Sequence, residues 1–253
     1  MFQVERKQQI LNYVNEHQKA NTDELAEMFH VSRVTIRRDL DELFQQGLLL
    51  RTHGGAVSNR NSMVYEIPYL EKIGKNVSAK ERIGIMAASL IQDNDIIILD
   101  SGSTTIQVAK HITQKNVTVL TNDIQIVNEL IPKDNVEVYM AGGHMAKGVY
   151  TVLGSACMQF FDTHHANRLF LGCDAVSLKY GISNRTDEEV LIKQCMIANA
   201  DEIIAVTDHS KIGGRVFARI CPVSELDKLV TDTLTPAEAQ ALSSMGVEVI
   251  LAG

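Results

Sequence analysis

Residues 32–40, Ser-Arg-Val-Thr-Ile-Arg-Arg-Asp-Leu, determine how the N-terminal part of the chain folds. They predict a helix, because Ile36, Leu40, Leu43 and Phe44 recur on one face. Ser32 is a favourable N-cap, since its hydroxyl can accept from the free amides of the first turn. Three arginines crowd these first turns, where positive charge opposes the helix macrodipole. A polyanion facing the helix explains them; a merely solvated charged face is the alternative.

Two shorter helices are predicted upstream, over residues 6–17 and 21–29. The second begins with a capping box formed by Asn21 and Glu24 and buries Leu25, Met28 and Phe29. Two short helices, a tight turn and an arginine-bearing helix describe a helix-turn-helix, whose second helix enters the major groove of DNA. The side chains expected to contact DNA from that helix are Arg33, Val34, Thr35, Arg37 and Arg38.

A β-ribbon is predicted directly after the arginine-bearing helix. Leu-Leu-Leu at 48–50 is followed by Arg51, His53 and the flexible pair Gly54-Gly55. Such a wing places Arg51 and His53 near phosphates or a minor groove. The whole winged helix-turn-helix fits within residues 1–57. A module for protein–protein contact is the alternative, and the density of arginines argues against it.

Length and charge set broad limits. The 253 residues suffice for one large or two modest domains, and 45% are hydrophobic and 22% charged. No apolar run approaches the roughly 18 residues of a membrane span, and the N-terminus has no signal-peptide pattern, so we expect a cytoplasmic protein without a membrane partner. The net charge of −7 belongs to the part after residue 60, because residues 1–60 are neutral. The four cysteines are widely spaced and are expected to be free thiols, with no metal.

The remainder of the chain alternates between strands and helices. Residues 58–78 are predicted as a linker, and residues 79–253 as a larger α/β domain. Continuous apolar strands separated by helices indicate a parallel sheet that is covered on both faces, as in Rossmann-like folds. The predicted strands of this sheet are 95–99, 117–120, 136–140, 169–172, 203–206, 229–230 and 247–251.

Small and polar residues follow five consecutive strands of this predicted sheet. Ligands of open α/β sheets bind beyond the carboxyl ends of the strands, and a Gly/Ser/Thr loop that enters a helix suits an anion. The lysine spacing of a Walker loop is absent. The residues expected in a pocket are Asp100, Ser101, Gly102, Ser103, Thr104, Thr105, Thr121, Asn122, Gly142, Gly143, Gly172, Asp174, Asp208 and Lys211, with His144 and His209 as further hydrogen-bonding candidates.

These motifs carry a resemblance to a known family. Thr-Ile-Arg-Arg-Asp-Leu at 35–40, Gly47 and Arg-Thr-His-Gly-Gly-Ala at 51–56 resemble the DeoR-type helix-turn-helix of bacterial regulators. Asp-Ser-Gly-Ser-Thr-Thr at 100–105, Gly-Cys-Asp at 172–174 and Asp-His-Ser-Lys at 208–211 resemble that family's sensor domain, which is similar to ribose-5-phosphate isomerases. The resemblance implies that residues 101–105 cradle a phosphate. It makes Asp174, Glu188, Lys193, Asp208 and Lys211 candidates for contacts with sugar hydroxyls or the phosphate, although Lys193 could equally be an exposed helix lysine.

The resemblance implies a repressor of a carbohydrate-catabolism operon that is controlled by a phosphorylated sugar and needs no cofactor. Two-fold pairing of DNA-binding units predicts a homodimer or homotetramer on inverted-repeat operator DNA. The alternative is a sugar-phosphate isomerase-like enzyme with an accessory N-terminal module. Gly-Cys-Asp-Ala at 172–175 lacks the doubly acidic loop expected of an active isomerase, so we expect binding and no turnover.

Overall fold

The fold was analysed in a computed structural model that describes residues 2–46, 48–59, 67, 69–146 and 148–253. The chain divides into two compact units, residues 1–65 and 66–253, called here the N-terminal and C-terminal units. Gly47 of the motif and residues 60–66 and 68 of the predicted linker lie outside the described residues. The domain limits at 57 and 79 stay predictions. Within the described ranges, no helix has the length and apolarity needed to cross a bilayer.

The N-terminal unit is a three-helix bundle with a small antiparallel sheet, as the sequence predicts. Its elements are α1 (Gln3–His17), β1 (Lys19–Asn21), α2 (Thr22–Met28), α3 (Arg33–Gln45), β2 (Leu49–Thr52) and β3 (Gly55–Ser58). Asn21 caps α2 by accepting the N–H of Glu24 at 2.7 Å. Ser32 caps α3 by accepting the N–H of Thr35 at 3.1 Å, which confirms the predicted helix start.

The buried face of α3 differs from the predicted stripe at two positions. Ile36, Leu40 and Leu43 are buried, but Phe44 is 48% exposed and does not belong to the core. Asp39 is buried instead, because the guanidinium of Arg6 on α1 pairs with it through two bonds of 2.6 and 3.2 Å. On α2, Met28 is likewise 42% exposed, contrary to its predicted burial.

The wing is anchored by a strand that the sequence did not reveal. β2 and β3 form the predicted antiparallel ribbon, with Arg51 opposite Ala56. β1 pairs with the other edge of β3, so that the sheet order is β1-β3-β2. A side chain at Gly55 would place its Cβ 2.0 Å from the carbonyl oxygen of Ala20. Glycine at this position therefore permits the close approach of β3 to β1.

The C-terminal unit has helices on both faces of one large sheet. In chain order its elements are α4 (Tyr69–Ile73), α5 (Val77–Ala88), β4 (Ile96–Leu99), α6 (Thr105–Lys110), β5 (Val117–Thr121), α7 (Ile124–Leu130), β6 (Val136–Met140), β7 (His144–Met145), β8 (Val152–Leu153), α8 (Ser155–Thr163), β9 (Ala166–Leu171), β10 (Ala175–Ser177), β11 (Gly181–Asn184), α9 (Asp187–Ala198), β12 (Ala200–Val206), β13 (Ala218–Cys221), β14 (Lys228–Thr231), α10 (Pro236–Ser244) and β15 (Glu248–Leu251). α4 and the start of α5 occupy part of the predicted linker.

The large sheet is parallel and has seven strands in the order β15-β14-β12-β9-β4-β5-β6. The chain builds one half from β4 through β6 and then crosses back to β9, so the strand order reverses between β4 and β9. This arrangement confirms the predicted Rossmann-like sheet. Ligand sites of such sheets lie at the reversal point, beyond the carboxyl ends of the strands.

Burial on both faces explains why the strands are continuously apolar. Along β4, Ile97 and Leu99 pack into the core on one face of the sheet, and Ile98 packs into the core on the other. Successive side chains of a strand point to opposite faces, so a strand covered on both sides needs apolar residues throughout. Two small antiparallel sheets, β7-β8 and β10-β11-β13, were not predicted.

Candidate DNA-binding surface and anion-binding cavity

The outer face of α3 is open and mostly polar. Val34 is 74% exposed, Arg37 and Arg38 are exposed, and Thr35 is half-buried beside the cap. The first turn of α3 contains no acidic residue, as the sequence showed. This face therefore combines a hydroxyl, an apolar side chain and guanidinium groups, which are the groups that contact base edges and phosphates.

Two of the three arginines on α3 have acidic partners that the sequence reading did not assign. Arg33 pairs with Asp23 of α2 at 2.7 Å, and Arg38 pairs with Glu42 one turn along α3 at 3.3 Å. Arg37 has no ion-pair partner among the residues that the structure describes. The side chains of Arg33 and Arg38 are 67% and 78% exposed, so these pairs contribute little stability and both guanidinium groups can exchange them for phosphate contacts.

The wing holds its arginine in a fixed position. Arg51 pairs with Asp41 of α3 at 2.8 Å and also donates to the carbonyl oxygen of Gly55. His53 is exposed at the turn between β2 and β3. The Arg51 side chain thus links the wing to α3, whereas the side chain of His53 at the wing tip is exposed to solvent.

A cavity of about 370 Å³ opens at the carboxyl ends of β4, β9 and β12, where the strand order reverses. It lies entirely within the C-terminal unit. Its walls come from three strand ends, from α4 and α5, and from β11 and α9. The lining residues are Ile67, Tyr69, Lys72, Lys75, Asn76, Lys80, Ser101, Gly102, Ser103, Thr104, Thr105, Val149, Thr151, Gly172, Cys173, Asp174, Asn184, Glu189, Lys193, Val206, Thr207, Asp208, Ser210 and Lys211.

Most of the predicted pocket residues meet in this cavity, but two of the five strand ends do not contribute to its walls. Thr121, the last residue of β5, and Asn122 after it are buried, and the hydroxyl of Thr121 donates to the carbonyl oxygen of Leu99 at 2.7 Å. Gly142 and Gly143 after β6 are exposed and away from the cavity. β6 is the edge strand of the sheet, three positions from the reversal point at β9, which explains the separation.

The acidic residue that α9 supplies is Glu189, not Glu188. Glu188 is exposed on α9, whereas Glu189 is buried and lines the cavity. The carboxylate of Glu189 accepts from the amide of Asn184 at 2.7 Å and from the hydroxyl of Thr186 at 3.1 Å. His144 and His209 do not line the cavity; His209 pairs with Asp232 instead.

The loop after β4 already uses two of its amides for carboxylates. The N–H of Ser101 donates to Asp100 at 2.8 Å, and the N–H of Gly102 donates to Asp123 at 3.2 Å. Burial raises the pKa of Asp123 to about 6. The donors left for a ligand are therefore nearer the start of α6, at Ser103 and Thr104, than in the full stretch 101–105.

Lys193 is a buried cation and not the exposed helix lysine of the alternative interpretation. Its ammonium donates to Asp100 and to the carbonyl oxygen of Gly172, the latter at 3.2 Å. Burial alone would lower the pKa of Lys193, but the carboxylates of Asp100 and Glu189 raise it above the ordinary value. The N–H of Gly172 also donates to Asp100 at 2.8 Å. This network joins the ends of β4 and β9 at the floor of the cavity.

Asp174 stands among three cations. Lys72 approaches its Oδ1 at 3.2 Å, Lys211 approaches the same oxygen at 3.8 Å, and Arg185 lies 3.8 Å from Oδ2. Burial raises the pKa of this carboxyl, but Lys72, Lys211 and Arg185 together lower it below the ordinary value. The cluster therefore places three basic side chains around one carboxylate.

Three lining lysines come from α4, from the turn after it and from α5, and the sequence did not predict them. They are Lys72, Lys75 and Lys80, and the first two lie inside the predicted linker. Burial lowers the pKa of Lys80 to about 8, and its ammonium donates to the carbonyl oxygen of Lys72. A signal existed in the sequence, since three lysines fall within nine residues of an otherwise acidic C-terminal part.

The charge balance of the cavity favours an anionic ligand. Five lysines line it against the three carboxylates of Asp174, Glu189 and Asp208. Hydroxyls and amides supply the remaining polar groups, which suits a ligand with both an anionic group and several hydroxyls. Among the described residues, no group of His, Cys, Asp and Glu has the arrangement of a metal site.

Comparisons with known proteins cover almost the whole chain. Residues 6–62 match the DeoR-like helix-turn-helix domain, and residues 75–233 match the DeoR C terminal sensor domain. The chain is 33% identical over 252 residues to the HTH-type transcriptional repressor GlcR of Bacillus subtilis, covering 99% of this chain and 97% of the relative. It is also 33% identical over 252 residues to a putative aga operon transcriptional repressor of Escherichia coli O157:H7, covering 98% and 94%. Among solved structures, ribose 5-phosphate isomerase from Plasmodium falciparum is similar over 53% of this chain and 52% of that chain, with 17% identity and a TM-score of 0.39.

Proposed function

The chain belongs to the DeoR family of transcriptional regulators, and from this premise we infer that it represses a carbohydrate-catabolism operon under the control of a phosphorylated sugar. The family consists of DNA-binding repressors and not of enzymes, so the isomerase alternative is discarded. Relatives named as repressors of the aga operon and of a lactose phosphotransferase system support the assignment to sugar metabolism.

In this proposal the N-terminal unit binds operator DNA. α3 enters the major groove, where Thr35, Arg37 and Arg38 contact bases and phosphates, and Arg33 and Val34 flank them. The wing contacts the DNA backbone through Arg51 and His53. Residues 1–57 form the DNA-binding domain, residues 58–78 connect it, and residues 79–253 form the sensor domain, with α4 contributing to the sensor from within the connecting segment.

The effector occupies the cavity with its phosphate among Lys72, Lys80 and Lys211. The observation that carries this assignment is the convergence of lysines in a cavity whose surrounding sequence is acidic. A phosphate dianion at a cluster of ammonium groups forms charge-assisted hydrogen bonds, which are stronger than neutral ones. Ser103 and Thr104 add hydroxyl and amide donors at the start of α6.

The sugar hydroxyls in turn face the carboxylates of Asp174, Glu189 and Asp208, which line the same cavity. In this proposal the predicted phosphate cradle over residues 101–105 is reduced to Ser103 and Thr104, and the lysines supply the other contacts to the phosphate. Lys193 and Asp100 position the loops from beneath. Of the further predicted residues, Gly172 borders the ligand, whereas Thr121, Asn122, Gly142, Gly143 and Glu188 are not expected to touch it.

We expect a homodimer or homotetramer, because two N-terminal units on an inverted repeat require an even oligomer. We also expect a cytoplasmic protein that needs no cofactor.

The test is a pair of binding measurements on the full-length protein. Duplexes that bind are first selected from a random pool, and binding of the selected duplex and of a random one is measured across a range of salt. Arg37→Ala is expected to weaken binding of the selected duplex, and Lys179→Ala, which removes an exposed positive charge in the C-terminal unit, is the charge-matched control. Equal affinity of the wild type for both duplexes would refute sequence-specific repression.

A thermal-shift screen then identifies the effector class. Ligand at about 100 times its dissociation constant stabilises a protein by about 2.7 kcal/mol. We expect stabilisation by a phosphorylated sugar and not by the same sugar without phosphate. Stabilisation by both to the same extent would refute the assignment of the lysines to a phosphate.

A further inference from the structure

The wall of the cavity includes α4, the first helix of the C-terminal unit. α4 begins at Tyr69, a few residues after the N-terminal unit ends at residue 65. Tyr69 and Lys72 of α4 both line the cavity, and so does Asn76 just before α5. A ligand in the cavity therefore touches the segment through which the two units are covalently joined.

α4 is held to the C-terminal unit by contacts at the cavity itself. The N–H of Tyr69 donates to the carbonyl oxygen of Gly148 at 2.8 Å. The ammonium of Lys72 pairs with Asp174 at 3.2 Å, and its backbone carbonyl accepts from Lys80. A helix of five residues is not stable by itself, so its position depends on these contacts.

The ammonium of Lys72 pairs with Asp174 and also faces the cavity, where a bound anion can compete for it. Its ammonium shares the Oδ1 of Asp174 with Lys211, which is 3.8 Å away. The Oδ2 of Asp174 is buried and accepts no hydrogen bond from the described residues. Arg185 and Lys211 remain beside Asp174 when Lys72 turns to a bound anion, so Asp174 keeps counter-charges after the exchange.

We propose that Lys72 couples the cavity to DNA binding, because the anionic group of the ligand and Asp174 compete for its ammonium. The partner with which Lys72 pairs determines how α4 packs on the C-terminal unit. This inference rests on the proposed function, of which it specifies the regulation. A change in the docking of α4 shifts the population of conformations open to the attached DNA-binding unit. Couplings of this kind change affinity by about 5- to 150-fold.

The first test is amide hydrogen exchange of residues 69–80 in the full-length protein, with and without inorganic phosphate at a concentration that calorimetry shows to be saturating. In the wild type we expect phosphate to change exchange in this segment about tenfold. In Lys72→Met, phosphate should bind more weakly, through Lys80 and Lys211, and at a concentration that calorimetry shows to saturate this variant, exchange in the segment should no longer respond. Lys179→Met, at an exposed lysine outside the cavity, is the matched control and should respond as the wild type does.

Asp174→Asn removes the competing carboxylate and serves as a second variant should Lys72→Met fail to fold. It should bind phosphate, and exchange at 69–80 should be insensitive to it. A wild-type segment that ignores saturating phosphate, or a Lys72→Met or Asp174→Asn segment that responds as the wild type does, overturns the coupling while the proposed function stands. Absence of any phosphate or phosphorylated-sugar binding by the wild type refutes the anion site and hence the proposed function itself.

Discussion

The affinity of the C-terminal unit for an anion should depend on pH, because the ammonium of Lys80 loses its proton at about pH 8. Burial, together with the neighbouring Lys211 and Lys72 and against the charge of Asp208, lowers the pKa of this lysine to about 8. The protonated form is the one that attracts an anion. Affinity should therefore be full below about pH 8 and fall as the pH rises through that value.

The size of the effect follows from the charged fraction of Lys80. With a pKa of about 8, about nine-tenths of the side chain is charged at about pH 7 and about one-tenth at about pH 9, so binding that requires the ammonium weakens about tenfold. The pKa of His209 is raised by its hydrogen bond with Asp232, but this side chain does not line the cavity. Cys173 in the cavity wall and Asp123, which binds the loop after β4, titrate outside this window. Burial raises the pKa of Cys173 to about 11, and that of Asp123 to only about 6.

Sulfate is the suitable probe, because it stays a dianion throughout this range whereas phosphate does not. Calorimetry at several pH values gives the affinity. Repeating the titration in two buffers with different heats of ionisation gives the proton uptake, which should approach about half a proton per sulfate near about pH 8. Lys80→Met should bind more weakly at neutral pH and show a flat profile. A wild-type affinity that does not change with pH, or the same decline in Lys80→Met, would refute the assigned role of this lysine.

The remaining predictions concern the N-terminal unit. Asp39→Asn leaves Arg6 buried without its carboxylate and should lower the free energy of unfolding by about 3 kcal/mol, as measured by urea denaturation; an unchanged midpoint would contradict the burial of this pair. Arg38→Ala should reduce the salt dependence of operator binding by about one phosphate contact, and identical slopes in a salt titration would remove this residue from the interface. Gly55→Ala should separate β3 from β1, because its Cβ would lie 2.0 Å from the oxygen of Ala20; faster amide exchange confined to β1 and β3 is expected, and wild-type exchange rates would count against the close approach.

The large sheet could be predicted from the sequence because its signal is local. Each strand is a short continuous apolar run, and helices lie between successive runs, so strand type and parallel pairing follow together. The strand order could not be derived in the same way. It depends on the crossing from β6 back to β9, which brings Gly172 next to Asp100 although 72 residues separate them.

The cavity was predictable where it is built from strand ends and not where it is built from helices. One residue along a helix turns the side chain by about 100°, so the sequence could not decide between Glu188 and Glu189. α4 has only five residues, too few to show an amphipathic pattern. Lys72 and Lys75 therefore fall within the predicted linker. Tertiary contacts, such as those of Lys72 with Asp174 and of Asn76 with Asp208, reveal where this segment lies.

The N-terminal unit shows a similar limit. The apolar stripe predicted Phe44 in the core, since an apolar residue at that spacing is usually buried. The structure instead buries Asp39, whose partner Arg6 comes from another helix. A buried charge cannot be foreseen without its partner, because an unpaired carboxylate would not be stable there. β1 was also missed, as three residues carry no periodic signal.

The most direct test of the account measures operator binding while the cavity is being filled. A labelled duplex selected from a random pool is bound by the full-length protein, and fluorescence anisotropy follows its affinity as phosphorylated sugars, and their counterparts without phosphate, are titrated. We predict that at least one phosphorylated sugar changes the affinity by about 5- to 150-fold and that its counterpart without phosphate has no effect. A protein that binds the duplex with the same affinity in the presence of every phosphorylated sugar that binds it would contradict the claim that this cavity controls DNA binding.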